Sequence, residues 1–430
     1  MTNPLRIGLA GLGTVGGGVV ALLDANAELI ARRAGRGIVV SAVSARDRNR
    51  GRGVDLSRFA WVDDATELAG RDDVDVVVEL IGGSDGPALT LARATLGRAK
   101  ALVTANKAML AHHGLELGDL AEANGAALKY EAAVAGGIPV IKGLREGAAA
   151  NGITRVYGIL NGTCNYILTR MEAEGLSFGA VLADAQAQGY AEADPSFDID
   201  GIDAAHKLSI LSGLAFASRI DFAGVAAEGV RAVDSADIDH AATLGYRIKL
   251  VGLASAADGK LFQRVHPCLV PLAHPLAHVE GALNAVVVEG DFAGRLFFSG
   301  PGAGAGPTAS AVVADLIDIA RGPAQPAFGM PVAALTQFET ADQASHAGRF
   351  YLRLTVADRP GVLAALTAHL RDSGVSIESL IQRGHGGSGG VFVVMVTHHV
   401  VERQVRAALD RMTASDDLLA PPMMMHILDF

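Results

Sequence analysis

The chain has 430 residues, room for two or three domains at roughly 100–200 residues each. Half of it is apolar and only 19% is charged, which excludes a disordered chain, and the 52 glycines follow no collagen-like period. A net charge of −10 argues against general binding to nucleic acid or to an anionic membrane, so an anionic ligand must be met by local charge or backbone N–H groups.

Residues 6–10 read as a short buried strand, 11–16 as a tight turn and 17–30 as the helix that follows. Six glycines between positions 7 and 23 make this run a poor signal-peptide core. A second strand fits 38–44. The near-continuous apolar run 75–81, closed by Gly82-Gly83, has the pattern of a strand buried on both faces of a parallel sheet. Residues 87–97 read as a helix and 101–104 as the next strand. This alternation predicts an α/β, doubly wound Rossmann-type domain over residues 1–135. Longer helices with strands at 156–160, 262–266 and 285–289 then predict an α+β domain over 136–301. The uncharged run 296–314 is long enough to span a bilayer, but Pro301, Pro307 and four glycines make it a loop, followed by a helix at 308–321. Pro- and Ala-rich sequence leads to a third unit, 348–430. Its strands at 350–356, 375–382, 391–397 and 423–427, with helices at 361–373 and 401–412, give the ferredoxin-like order βαββαβ. The three methionines at 423–425 fit an edge strand.

Gly11-x-Gly13-x-x-Gly16 sits between a predicted strand and a predicted helix, where its glycines permit the turn, the approach of a pyrophosphate and close helix packing. After the second strand, where an NAD site would place an acid, the chain has Ala45-Arg46-Asp47-Arg48, with Arg50 and Arg52 beyond. Arg46 suits a 2′-phosphate and points to NADP, while Asp47 keeps NAD open. Lys107 follows a buried strand and falls at the carboxyl edge of the sheet, although position by itself favours an exposed helix-start lysine. Between Glu192 and Lys207 lie Glu192, Asp194, Asp198, Asp200 and Asp203. EF-hand spacing is missing, which leaves two readings: an i,i+4 ion pair on a helix surface, or a substrate site with acids for an ammonium group and a lysine for a carbonyl oxygen. Cys164 has no neighbouring histidine to activate it, and His206 reads as packing. Two cysteines, Cys164 and Cys268, give neither a disulfide framework nor a metal-binding spacing, as in a reducing cytoplasm.

Together GLGTVG, VTANKA, YEAAVAGGIPVI, NGTCNYIL, GYAEADPSFDIDGIDAAHKL and GPGAGAGPTASAVVADL resemble the homoserine dehydrogenase family in order and spacing, over about residues 5–335. YLRLTVADRPGVLA resembles the start of an ACT domain, a small regulatory unit. The resemblance implies reversible, NAD(P)H-dependent reduction of L-aspartate 4-semialdehyde to L-homoserine on the route to threonine, methionine and isoleucine. It makes Lys207 the proton donor to the carbonyl oxygen and Lys107 the second active-site lysine, near cofactor and substrate. Glu192 corresponds to the residue that binds the substrate amino group, with Asp203 and Asp198 at its polar groups. Glu131, Val134, Gly136 and Ile138 match a segment that holds a monovalent cation, sodium, largely through backbone carbonyls. Leu12, Thr14, Val15, Gly189 and Gly304 fall at cofactor contacts beside Gly11, Gly13, Gly16, Arg46 and Lys107. Residues 302–335 are expected to pack back on the first domain. The ACT unit implies an amino-acid effector, L-threonine by the logic of end-product inhibition, and the second domain a dimerisation surface, so a homodimer or homotetramer is expected without nucleic-acid or membrane partners. A sibling semialdehyde dehydrogenase and a non-catalytic sensor are the rival readings. Intact Lys107, Glu192, Asp203 and Lys207 count against the sensor.

Overall fold

A computed structural model describes residues 3–48, 50–51, 53–188, 191–322, 325–386 and 390–429. Strand β1 (Leu5–Ala10) ends in a turn at Gly11, whose φ is +99° and where a Cβ would lie 2.5 Å from the Leu80 carbonyl oxygen. Only glycine fits there. Helix α1 (Thr14–Ala25) starts at once, three residues earlier than expected, and α2 (Ala27–Ala34) leaves it at 84°. The single helix expected over 17–30 is therefore two. Asn26 sits between them at φ −116° and ψ 22°, outside the helical region, consistent with asparagine's preference for caps over helix interiors.

Strands β2 (Ile38–Ser44), β3 (Ala60–Trp61), β4 (Val76–Glu79), β5 (Ala101–Thr104) and β6 (Leu128–Lys129) join β1 in a parallel sheet of order β3-β2-β1-β4-β5-β6. Helices α3 (Pro87–Leu96) and α4 (Lys107–Ala123) are its crossovers after β4 and β5. All four residues of β4 are buried, as its unbroken valine run foretells. Strand order reverses between β1 and β4, so the crevice beyond their carboxyl ends is the place for a ligand.

The short turn α5 (Val140–Lys142) leads into β7 (Ile153–Ile159), α6 (Gly162–Glu174), α7 (Phe178–Ala187), α8 (Ser196–Ile199), α9 (Ile202–Ala215), β8 (Ala226–Ala227) and α10 (Ser235–Thr243). Strands β9 (Tyr246–Ala257), β10 (Lys260–Pro271), β11 (Leu283–Gly290) and β12 (Gly294–Pro301) then build an antiparallel sheet, β12-β11-β7-β9-β10. Its alternation is strict along β10. Val265 and Leu269 pack with Leu208 and Leu211 of α9, whereas Phe262, Cys268 and Val270 pack with Tyr157 and Val251 on the opposite face. The first part of run 296–314 is thus not a loop but the edge strand β12, where glycine and proline conceal the alternation.

Helix α11 (Ala305–Arg321) returns to α1, and its Ala309, Val312 and Leu316 share one core with Val19, Val20 and Leu23. Gly18 permits the approach, since a Cβ there would lie 2.6 Å from the Ala305 carbonyl oxygen. After β13 (Glu339–Thr340) come β14 (Ala347–Val356), α12 (Val362–Asp372), β15 (Ile377–Gly386), β16 (Gly390–Thr397), β17 (Val400–Val401), α13 (Glu402–Thr413) and β18 (Met423–Ile427), with sheet order β18-β14-β16-β15. The three-part α/β, α+β and ferredoxin-like class read from the sequence is the fold of this chain. The methionine strand, however, is not an edge. β18 lies between β14 and β10, pairing Cys268 with His426 and Leu269 with Ile427, so the terminal sheet continues the middle one. Among the described residues no single helix is long and apolar enough to cross a membrane.

Candidate active site

Buried Glu79, at the carboxyl end of β4, organises the loops of the crevice: its carboxylate accepts the Ile81 and Gly82 amides at 2.7 and 3.1 Å and the Thr104 hydroxyl at 2.5 Å. Asn106 caps α4, its side chain accepting the Met109 amide and donating to the Gly83 carbonyl. Lys107 thereby projects from a fixed helix start. Beside it a cavity of about 360 Å³ is lined by Gly82, Gly83, Ser84, Asn106, His112, Phe197 and His206.

Opposite Lys107 stands α9. Asp203 Oδ1 lies 2.9 Å from Lys107 Nζ and its Oδ2 2.7 Å from Lys207 Nζ, so one carboxylate bridges two ammonium groups from different helices, α4 and α9. Asp203 and Lys207 are both buried, which excludes the helix-surface ion pair. Burial works against the Asp203 anion, but the two lysines outweigh it and hold its carboxyl well below the ordinary range. Burial dominates at Lys207 and lowers it despite Asp203, whereas at Lys107 burial is overcome by Asp203, with help from Asp198 and Glu192, and the ammonium form is favoured. One lysine is eased toward giving up its proton and the other held charged. Lys207 Nζ also donates to the Leu160 carbonyl at 2.7 Å.

Asn161, the cap of α6, donates to Asp203 Oδ2 and Asp198 Oδ1, both at 2.8 Å, and Thr163 donates to the other Asp198 oxygen at 3.1 Å. Asp194 and Asp200 do other work: the former accepts the Ser196 amide and the latter pairs with Arg231. Glu192 is exposed and reaches the site through its field on Lys107. The Cys164 thiol donates to the Asp198 carbonyl, and burial, with Asp198 next, pushes its pKa well up, contrary to an activated nucleophile. His206 stacks on Phe222 with centroids 4.3 Å apart and is lowered to about 4 by burial, as a packing histidine would be, yet it also lines the cavity.

A cleft of about 880 Å³ runs over Gly11, Leu12 and Gly13 to Arg46 and Asp47, and a neighbouring hollow of about 460 Å³ touches Thr14, Arg50 and Ala305. Val15 lies in the first turn of α1 beside them, and Gly16 lets that helix close on the strand, since a Cβ there would lie 2.1 Å from the Gly11 carbonyl oxygen. Gly304 opens α11 next to this hollow. Gly189 and Arg52 lie outside the described residues.

In the 131–138 segment, the Glu131 carboxylate accepts the Ile141 and Lys142 amides at 3.0 and 2.9 Å, and its own amide donates to Asp315. Burial, with Asp315 nearby, pushes Glu131 up to about 7. Val134 and Ile138 are buried, and Ala135 and Gly136 hold φ of 55° and 47°, a sharp left-handed turn. Among the described residues no cluster of three His, Cys, Asp or Glu side chains has metal-holding geometry, so any cation here depends on main-chain carbonyls.

Glu79, Asn106, Asn161 and His112 are among the site residues that were not singled out from the sequence as functional. A capping asparagine directly after a predicted strand was a usable signal for two of them. Nothing local distinguishes a buried Glu79 from the ordinary end of a strand.

Family models match the chain in three places: homoserine dehydrogenase, NAD binding domain, over residues 11–131, homoserine dehydrogenase over 139–317, and ACT domain over 350–413. A homoserine dehydrogenase of Neisseria gonorrhoeae is 46% identical over 431 aligned positions, 99% of each chain. The crystal structure of a homoserine dehydrogenase from Thiobacillus denitrificans superposes with a TM-score of 0.94 at 42% identity, covering 99% of both chains. A hyperthermophilic archaeal homoserine dehydrogenase in complex with NADPH matches 74% of this chain and 97% of its own, with a TM-score of 0.63 at 27% identity. With its nucleotide-binding sheet, its paired lysines around one buried carboxylate and its terminal ACT domain, the chain belongs to the homoserine dehydrogenase family of oxidoreductases.

Proposed function

We propose that Lys207 is the proton donor in reduction of L-aspartate 4-semialdehyde and the proton acceptor in oxidation of L-homoserine. The observation that carries this reading is the Asp203 carboxylate bridging Lys107 and Lys207, with burial lowering Lys207. When bound, the nicotinamide supplies the hydride to the aldehyde carbon. The chain does the rest. Lys207 delivers its proton to the carbonyl oxygen as charge develops there, and Lys107, kept cationic, stabilises that charge. Glu192 receives the substrate ammonium group, while Asp203 and Asp198, tied together by Asn161, orient its polar groups. Oxidation reverses each step, and Lys207 then takes the hydroxyl proton.

The cofactor reading is NADP. The open start of α1 at Gly13 and Thr14 suits the pyrophosphate, and Arg46 at the cleft wall suits a 2′-phosphate. The NADPH held by the archaeal relative agrees with this, and Asp47 is the feature that favours NAD. Carbonyls of Glu131, Val134, Gly136 and Ile138 would hold a sodium ion, which would offset the buried charge of Glu131 and Asp315 and stiffen the turn without entering the reaction. Residues 1–135 with 302–335 form the nucleotide unit, 136–301 the catalytic and dimerisation unit, and 348–430 the regulatory unit. A small amino acid, L-threonine first among candidates, is its effector, and the chain works as a homodimer or homotetramer. Two buried free thiols fit a cytoplasmic protein.

The test is absorbance at 340 nm with L-homoserine and NADP or NAD, with and without L-threonine. Reduced cofactor is expected only with homoserine and more readily from NADP, and Lys207→Ala abolishes it while retaining NADP binding. Unchanged turnover in that variant refutes the role of Lys207.

A further inference from the structure

Phe197, in the short helix α8, is 43% exposed and takes no part in the handling of charge around Lys207. Its surroundings are unusual for a surface phenylalanine. The ring lies on the wall of the cavity of about 360 Å³ beside Lys107, whose Nζ is 5.6 Å from the ring centroid. Behind it stands a row of rings: His206, with centroids 5.6 Å apart, and then Phe222, stacked on His206 at 4.3 Å. His206 is buried, and burial, with His112 next, lowers it to about 4, so the row is uncharged at neutral pH. Packed rings therefore support Phe197 from within, while part of its own ring stays open at the cavity.

The rest of the cavity belongs to the nucleotide unit. Gly82 and Gly83 hold φ of +85° and +87°, and a Cβ at Gly82 would meet nothing within 4 Å. The loop thus presents bare backbone to open space, in a conformation that favours glycine. Gly82 also lines the cleft of about 880 Å³ that runs over the glycine turn, so cleft and cavity meet at this loop. A dinucleotide with its pyrophosphate at the start of α1 reaches past Gly82 with its nicotinamide end, toward Lys107. A flat ring is suited by a slot that has bare backbone on one unit and an aromatic side chain on the other, and the cavity supplies both.

We infer that Phe197 packs on the nicotinamide ring of the bound cofactor and fixes that ring for hydride transfer from the side of the catalytic unit. The inference rests on the nucleotide reading proposed above and adds to it a contact far along the chain from the glycine turn. Burying the open part of Phe197 against a second flat ring removes apolar surface of both from water. The contact reads the ring and not the 2′-phosphate, so it serves NADPH and NADH alike. Its position suits the chemistry. Asp198, the next residue, is held by Asn161 and Thr163, and α8 leads directly into α9 with Asp203 and Lys207. The ring is thereby tied to the side chains that orient the substrate, and a nicotinamide resting on it keeps its register with them.

The experiment is calorimetric titration of the full chain with NADPH and with 2′-phospho-ADP-ribose, which is the same nucleotide without its nicotinamide, and in parallel with NADH and ADP-ribose. The emission of bound NADPH is recorded alongside. In Phe197→Ala, NADPH affinity should fall about tenfold and the emission should move toward that of free NADPH, while 2′-phospho-ADP-ribose binds as in the parent. Phe197→Tyr keeps the ring at an exposed position and should retain both properties. NADPH affinity within about twofold of the parent in Phe197→Ala overturns the inference. So does equal weakening of both ligands, which marks a general loss of the site, or a rise confined to KM for homoserine, which puts the ring on the substrate. A parent chain that binds neither NADPH nor NADH refutes the nucleotide reading and this inference together, whereas parent binding that Phe197→Ala leaves unmoved refutes this inference alone.

Discussion

Replacing Asp203 by asparagine keeps its size and removes the charge between two lysines. With the shorter contact at 2.7 Å and an effective dielectric constant near 20, each lysine loses about 6 kcal/mol of gross attraction. Much of this is offset by burial, and a broken buried pair costs about 3–5 kcal/mol net. Lys207, already lowered by burial, is lowered further when its anionic partner is removed. A loss of roughly 3 kcal/mol corresponds to about two pKa units, so in the variant the amine gives up its proton at correspondingly lower pH. The two directions of reaction then diverge. Semialdehyde reduction loses its proton donor and kcat falls by about 10²–10⁴, while the rise of homoserine oxidation with pH moves to lower pH by about two units. Initial rates at 340 nm in both directions, from about pH 6 to 10, give the profiles, and fluorescence titration gives NADP affinity. A reduction rate within about twofold of the parent, an unmoved profile and unchanged affinity would together refute the bridge as the source of proton donation.

Other expectations follow from the same geometry. Gly16→Ala puts a Cβ 2.1 Å from the Gly11 carbonyl oxygen, and NADP affinity measured by calorimetry should fall by about a hundredfold or more, against no change if the turn does not bind pyrophosphate. Arg46→Ala removes a charged donor worth about 1.5–3 kcal/mol, so KM for NADP rises about 10–100-fold with NAD unaffected, and equal effects on both cofactors contradict a 2′-phosphate contact. Burial and Asp315 raise Glu131 from 4.5 to about 7, so the native state binds more protons than the unfolded chain in that window. Stability is full below it and declines as pH rises through it, by on the order of 3 kcal/mol. Sodium at 131–138 should restore part of this at pH above 7, and identical melting curves in sodium and tetramethylammonium chloride argue against the ion. Glu402→Gln leaves the Arg264 guanidinium buried without its anion and should cost about 3–5 kcal/mol, seen as earlier proteolytic release of the ACT unit.

The nucleotide-binding strands were legible because parallel strands buried on both faces leave unbroken apolar runs. β5 falls on the residues expected, and β4 within two of them at each end. The glycine turn was legible because part of its demand is local, the positive φ of Gly11 and the approach of Gly16 to the Gly11 carbonyl oxygen, although the Leu80 carbonyl that also excludes a Cβ at Gly11 comes from a distant segment. Where glycine and proline interrupt alternation, as in β12, the pattern failed, and the methionine strand gave no sign that β10 would lie on its other side. The acidic run shows the same boundary. Its residues were visible, yet the sequence could not separate a surface ion pair from a site, because Asp203 and Lys207 have the same spacing in both. Tertiary structure decided it by burying α9 and bringing Lys107, from the start of α4, to the second oxygen of Asp203. Periodicity and local sterics are written along the chain. Which carboxylate stands between which lysines, and in what dielectric, depends on packing between segments far apart in sequence, and no local pattern records it.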